Sequence, residues 1–488
     1  MFPRAGATLN AFGKRRENND SGGLRMLNRR EFLKTAAVAT VPLFISSRAL
    51  GMKKPGANDI INVGLIGLGG RCRDIVRTCL QIPQMRVAAI CDCFKPRIAA
   101  FMKEKPADAQ WQVYTDFRKM IETEQLDGVM VETTTHARAW IACIAMTMGM
   151  DVYIEKPMCL TIAEGREMVT CARNCKRVTQ VGTQQRSMPL NNWASDLVKN
   201  GAIGRVKEVL APNFVSPLVW DARPAEEMPA GGDEGWWDIW TNQAELRPYH
   251  SEIHLGWAKW RDYDGGGISF GVTGWGTHSY DQINRGLGTD ETGPVEIVLE
   301  EAVQDIPTGK FEERHISEDE TGAAYYPMCK GTVGPRAKTR MKFASGTELN
   351  LGLDGDWGPG LGCIFVGEKG KIEINRDKIS ADPKELVASP DRPPALTVLE
   401  TQPHIENWLA CMRTRERCTA DIECGQRSST LCYLVNIARD LGRVGEKLLW
   451  DPEKERFTNC DEGNAMLSRP RRAGYELPAP RRQRRGTD

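Results

Sequence analysis

Ile61-Asn62-Val63-Gly64-Leu65-Ile66-Gly67-Leu68-Gly69-Gly70-Arg71-Cys72 is the stretch whose reading decides the fold. An apolar run enters a Gly-X-Gly-Gly turn, and an amphipathic segment, Asp74 to Leu80, leaves it. The pattern predicts a strand, a tight glycine loop and a helix start. Gly67 permits the sharp turn. Gly69 has no side chain, and Gly70 and Arg71 open the helix behind it. A pyrophosphate can therefore approach the backbone at the helix N-terminus, where unpaired N–H groups and the dipole favour anions. Downstream, Met85-Arg86-Val87-Ala88-Ala89-Ile90-Cys91-Asp92 reads as a second strand ending in an acid. Asp92 stands where such folds set a carboxylate against a ribose diol. Cys72 occupies the third glycine position of the fingerprint. In this order the elements predict a dinucleotide site, with NAD favoured over NADP. Asp92 repels a 2′-phosphate, although Lys95 and Arg97 lie close enough to soften that preference.

From Asp59 to Gly182 strand and helix patterns alternate. Gly128 to Glu132, Asp151 to Ile154 and Thr179 to Gly182 read as strands. Trp140 to Met148 and Thr161 to Cys175 read as helices, the latter with Thr161 and Glu164 at capping-box spacing. Repeated β-α-β units imply a doubly wound parallel sheet. After Gln184 the texture changes. A glycine- and tryptophan-rich region is followed by short strands, among them Thr339 to Phe343, Glu348 to Leu353 and Lys371 to Asn375. The fold class is thus α/β: an N-terminal Rossmann sheet plus a C-terminal α+β domain with a large, open, mainly antiparallel sheet. The expected organisation is a leader over 1–57, a dinucleotide-binding domain over 58–182, a substrate and oligomerisation domain over 183–450, and an irregular extension over 451–488.

A chain of 488 residues can bury a large core, and its net charge of +1 gives no argument for nucleic acid. The basic C-terminal run at 481–485 is short and reads as a solvated tail. The fifteen cysteines are scattered, without two pairs at zinc spacing, so no metal is expected and most thiols should be buried. His250 and His254 are four apart but lack a third ligand, and read as surface residues. Arg29-Arg30 precedes a mildly apolar run, Thr35 to Ile45, which is too short to span a bilayer. This resembles a twin-arginine export signal, with Met26 an alternative start, and implies a periplasmic protein loaded with its cofactor before export.

Glu155-Lys156-Pro157 closes a predicted sheet strand. Lys156 should project into the crevice, where its ammonium can bond a substrate hydroxyl and serve in proton transfer. Gln184 and Arg186 follow the last strand of the first domain and are expected to face the same crevice. Arg261 and Tyr263 lie among Trp257 and Trp260, and aromatic faces beside polar groups suit sugars.

Gly67-Leu68-Gly69-Gly70-Arg71, Tyr114-Thr115-Asp116-Phe117, Glu155-Lys156-Pro157 and Gln180-Val181-Gly182-Thr183-Gln184-Gln185-Arg186-Ser187 together resemble the Gfo/Idh/MocA family. Gly276-Thr277-His278-Ser279-Tyr280-Asp281 and Ser468-Arg469-Pro470 extend the resemblance over most of the chain. It implies NAD(P) in the Rossmann domain, a sugar or polyol against the second sheet, and dimers or tetramers. Lys156 then matches the active-site lysine, and His278 the catalytic acid–base histidine of the substrate domain. Thr133 and His136 match cofactor-side positions. Three positions depart from the family pattern. Gly274 replaces an aspartate four residues before His278, for which Asp281, itself expected among the substrate-binding residues, could compensate if the segment is helical. Arg138 replaces a histidine near the nicotinamide ribose, and Cys72 replaces glycine.

These readings point to an exported NAD(P)-dependent oxidoreductase acting on a sugar, polyol or sugar derivative. A glycosidase using transient redox of a bound cofactor is an alternative. A non-catalytic sugar-binding or scaffold protein on a retained Rossmann fold is another.

Overall fold

The computed structural model of the chain describes residues 59–267, 270–307, 333–353, 360–376, 378–398 and 401–478. The Arg29-Arg30 pair, the leader and the basic run at 481–485 lie outside the described residues.

Six strands form the first sheet: β1 (Ile61–Ile66), β2 (Met85–Cys91), β3 (Gln112–Tyr114), β4 (Gly128–Val131), β5 (Asp151–Ile154) and β6 (Thr179–Val181). All pairings are parallel, in the order β3-β2-β1-β4-β5-β6. Every residue of β4 and β5 is buried, as strands covered on both faces require. The order reverses between β1 and β4, which opens a crevice at their carboxyl ends. At the helix Ile162–Cys175 Thr161 caps as expected, accepting from Glu164 N at 3.2 Å, while Glu164 reaches one residue further back than a capping box requires and accepts from Leu160 N at 2.9 Å. The helix predicted from Trp140 begins earlier and spans Thr135–Thr147.

One cover of this sheet comes from far along the chain. Ile405, Trp408 and Leu409 of the helix Thr401–Thr414 are buried with Leu65, Met130 and Tyr153. Gly128 permits that contact. A Cβ there would lie 2.7 Å from Asp151 O and 3.1 Å from the Trp408 ring.

The second sheet contains β7 (Val206–Pro212), β8 (Pro294–Leu299), β11 (Thr339–Phe343), β12 (Glu348–Leu353), β13 (Cys363–Gly367), β14 (Lys371–Asn375), β15 (Lys378–Asp382), β16 (Lys447–Asp451) and β17 (Arg456–Phe457). Between β8 and β11, the strands β9 (Gln304–Pro307) and β10 (Val333–Arg336) pair separately. The nine strands run in the order β15-β14-β13-β7-β12-β11-β8-β16-β17. Only β7–β12 is parallel among these pairings, so the sheet is mixed but mostly antiparallel. The helices Trp275–Leu287 and Ile422–Leu441 are buried along most of their length. The C-terminal extension is more regular than expected. It adds β17, whose Phe457 ring lies 5.0 Å from that of Trp450, and a short helix, Asp461–Ala465.

Of the fourteen described cysteines, eleven are buried and three half-buried. No described helix is long and apolar enough to cross a membrane.

Candidate active site

The glycine turn needs its glycines. Gly67 has φ +88°, and a Cβ there would lie 2.8 Å from Thr133 N and 2.9 Å from the Glu132 carbonyl carbon. Another residue would be strained in conformation and would collide with the chain leaving β4. Gly69 is the N-cap of the helix Gly70–Cys79, and neither a side-chain cap nor a first-turn acid occupies that end. A Cβ on Gly70 would meet nothing within 4 Å. Cys72, in the third glycine position, is buried in the helix–sheet core and costs the turn nothing visible.

A cleft of ≈ 490 Å³ opens at this turn, between the ends of β1 and β4. Its size suits a small-molecule or cofactor site. Asp92, Glu132 and Thr133 form part of its wall, and Trp240 and Tyr475 close it from elsewhere in the chain. Asp92 is buried. Its Oδ2 accepts from Leu68 N and its Oδ1 from Phe94 N, both at 2.9 Å. The acid therefore ties the glycine turn to the end of β2, and each oxygen keeps a lone pair for a diol. Burial raises its pKa against those two bonds. An uncapped helix end beside an acid at the end of β2 fits a dinucleotide.

A line of contacts leads from the cleft to the candidate acid–base groups. Arg71 Nε donates to Glu155 Oε1 at 2.9 Å. Glu155 Oε2 accepts from Lys156 N at 2.8 Å, and Lys156 Nζ donates to the Gly274 carbonyl at 3.0 Å. Gly274 caps the helix Trp275–Leu287, whose first turn carries His278. Gln184 Nε2 also donates to Glu155 Oε1, at 3.1 Å, and to Tyr153 Oη at 3.0 Å. Gly182 leaves room for this carboxylate, since a Cβ there would lie 2.7 Å from it. Burial acts to raise the Glu155 pKa, but Arg71, Lys156 and Arg138 outweigh it, and the carboxyl falls below its usual range. Burial lowers Lys156 to about 8, with Glu155 opposing the shift. Burial, then the charge of Lys156, drives His278 well below the usual histidine range. The imidazole is therefore neutral near pH 7, and its Nδ1 has no hydrogen-bond partner among the described residues.

Several expected contacts are placed differently. Asp281 does lie one turn after His278, but it does not support it. Its carboxylate accepts from Arg186 Nε at 2.8 Å and from Ser428 Oγ at 2.8 Å. Arg186 is equally committed, to Asp281 and, at 2.6 Å, to Asp290. Both side chains are buried, and the structure pairs them with each other within the packing of the domain. Arg261 is ion-paired with Asp440, and Tyr263 is fully buried with its ring edge against His136 and Trp240. His136 turns away from the cleft. Its Nε2 donates to Trp240 O at 2.8 Å and its backbone N to Tyr263 O at 3.2 Å. His250 and His254 are buried, not superficial; His250 caps the helix Ser251–Gly256, and His254 lines the cleft. Among the described residues no three His, Cys, Asp or Glu converge as a metal would require.

Other contacts emerge only in three dimensions. Arg138 donates to Thr133 O at 3.0 Å and to Pro157 O at 2.6 Å, bracing the loop after Lys156. Asp264 is buried and accepts from Thr135 Oγ1 at 2.5 Å and from Thr273. Arg472 and Tyr475 bond Asp238 at 2.6 and 2.8 Å, which ties the C-terminal segment to the helix Glu234–Thr241 over the cleft.

Residues 61–183 match the Gfo/Idh/MocA oxidoreductase family model for the NAD-binding Rossmann fold, and residues 329–477 match that family's C-terminal α/β domain. Together these cover more than half of the chain, which belongs to this family, and its first domain is an NAD-binding Rossmann domain. A glycosyl hydrolase family 109 protein of Shewanella baltica is 25% identical over 256 residues, 46% of this chain and 53% of its own length. The chain thus spans about half the length of the curated relatives it matches. Aldose-aldose oxidoreductase from Caulobacter crescentus, complexed with glycerol, aligns at TM-score 0.52 and 18% identity, covering 80% of this chain and 99% of that one. The WlbA dehydrogenase from Bordetella pertussis, in complex with NADH and UDP-GlcNAcA, aligns at TM-score 0.51 and 16% identity, covering 80% and 99%. At these identities the structural likeness is one of fold.

With no aspartate at position 274 and Asp281 held by Arg186, His278 has no carboxylate to raise its basicity. His278→Ala is therefore expected to cost less than about tenfold in kcat, well below the range for loss of a main acid–base group. Steady-state kinetics on the loaded enzyme check this. A loss above 10²-fold would restore His278 as the principal base.

Proposed function

We propose that this protein oxidises a hydroxyl of a sugar, polyol or sugar derivative, with Lys156 taking the hydroxyl proton. The observation that carries the reading is the contact line from Arg71 through Glu155 to Lys156. It sets an amine of reduced basicity at the end of β5, beside the dinucleotide crevice. Bound NAD supplies the hydride acceptor. Gly67, Gly69, Gly70 and Arg71 hold its diphosphate and Asp92 a ribose diol. Glu155 and Gln184 fix the Lys156 backbone. Neutral His278 offers a hydrogen bond to a substrate oxygen across the cleft.

A second reading keeps the same chemistry but returns the hydride: a glycosidase with transient redox. The tie of Arg472 and Tyr475 to Asp238 supports it, because a roofed cleft favours a retained cofactor. The family 109 relatives carry a hydrolase name. The deciding experiment incubates NAD-loaded protein with free sugars, polyols and their aryl glycosides, following reduced nicotinamide and released aglycone together. Net reduced nicotinamide supports the dehydrogenase. Aglycone without net reduction supports the glycosidase. Neither signal, with sugar binding intact, supports a non-catalytic binding protein.

Export through the twin-arginine route to the periplasm belongs to the same proposal, since it would carry the folded, loaded protein. Arg29→Lys together with Arg30→Lys is expected to retain the protein in the cytoplasm on cell fractionation. Export equal to the parent's would reject the signal. Homo-oligomers through the open second sheet are also proposed, and sedimentation velocity tests them.

A further inference from the structure

Glu132 follows the last residue of β4, where the strand order reverses, and lines the cofactor cleft. It is 6% exposed, and among the described residues neither carboxyl oxygen has a hydrogen-bond partner. A buried polar group without a partner is costly, and in a ligand cleft it marks where a ligand atom completes the set. Its backbone lies against Gly67, on the floor of the turn that receives the diphosphate.

The groups that face Glu132 come from several elements. Arg71 and the thiols Cys72 and Cys79 lie on the helix Gly70–Cys79. Arg138 lies on the helix Thr135–Thr147. Tyr153 lies in β5, with Glu155 just beyond it. The two cations hydrogen-bond elsewhere: Arg71 to Glu155, and Arg138 to the carbonyls of Thr133 and Pro157. Burial, then the charge of Glu155, pushes Glu132 up to about 8. Of the two neighbouring carboxyls, Glu155 is the ionised one.

We propose that Glu132 is a cofactor-contacting acid that enters the complex protonated and donates its O–H to an acceptor oxygen of the dinucleotide's diphosphate–ribose segment. An ionised carboxylate there would meet a phosphate with like charge and no donor, whereas the neutral acid supplies one donor and one acceptor. The inference rests on the dinucleotide reading of the cleft. It makes binding consume a proton wherever free Glu132 is ionised. Lys156 titrates in the same range, but its contribution persists when only Glu132 is changed.

The test is calorimetric titration with NADH from about pH 7 to about pH 9.5, in buffers of different ionisation enthalpy. Glu132→Gln keeps one donor and one acceptor and cannot ionise. Wild-type affinity is expected to fall with pH more steeply than that of Glu132→Gln, by up to about tenfold per pH unit. Wild type should also take up as much as about one extra proton per NADH bound at the alkaline end. The comparison is of the slopes with pH and of proton uptake, not of affinity at a single pH. Equal slopes and equal proton uptake would overturn the inference. If Glu132→Gln does not fold, wild type alone decides, because tight binding without proton uptake overturns it. Absence of NADH binding at every pH would overturn the cofactor reading as well, so the two failures are distinguishable.

Discussion

Lys156→Ala is expected to lower turnover by about 10²–10⁴-fold, the range for removing a positioned acid–base group, with little change in NADH affinity. Lys156 is not part of the wall of the dinucleotide cleft, and its Nζ spends its observed bond on Gly274 O. The pH profile sharpens the expectation. An amine that accepts the hydroxyl proton must be unprotonated, and burial places Lys156 at about 8. kcat/KM for oxidation should therefore rise as the pH climbs through about 8 and level off above it. The residual activity of Lys156→Ala should lack that rise. Stopped-flow and steady-state rates over this interval measure both. An active enzyme whose rate and profile are untouched by the substitution would refute lysine as the proton acceptor.

Asp281→Ala is expected to destabilise the fold by about 3 kcal/mol, the lower end of the range for breaking a buried ion pair from one side. The Arg186 and Asp281 side chains are 4% and 1% exposed, so the guanidinium left behind cannot be rehydrated without opening the domain. Asp290 still contacts Arg186, which keeps the cost near the lower limit. Ser428 loses one of its two acceptors in the same change and keeps the Cys424 carbonyl. Urea denaturation of the parent and the variant measures the difference. Below the unfolding transition KM should be nearly unchanged. A large rise in KM at unchanged stability would show that Asp281 meets substrate after all.

The Arg186–Asp281 pair also shows where reading the chain stops. Both residues are of types that bind sugars, but their partnership joins positions 95 apart in sequence, and only packing reveals that they neutralise each other. The partners of His136 are hidden for the same reason. The residue type matched, yet Trp240 and Tyr263, more than a hundred residues on, supply its partner atoms. The β1 turn was legible because it is local: strand period, glycine at a positive-φ position and an acid closing the next strand all lie within about one βαβ unit. Lys156 was legible because a charged residue just after the run Val152-Tyr153-Ile154 lies at the sheet's carboxyl edge. Glu132 carried the same signal, an acid closing the apolar β4. The segment around Asp238 and Tyr475 that roofs the cleft could not be read, since a short helix and an irregular C-terminal stretch meet there from positions 237 apart.

Whether the cleft between β1 and β4 holds a nicotinamide dinucleotide is the claim on which the rest stands. Calorimetric titration of NADH into the purified full-length protein tests it most directly, with Gly70→Trp as the control. Gly70 has open space beside it and lines the cleft, so a large side chain there should fill the cradle without disturbing the core. The account predicts saturable one-to-one binding by the wild type and its loss in Gly70→Trp. Absence of saturable binding of NADH or NADPH by the folded wild type, or equal binding by the control, would contradict it.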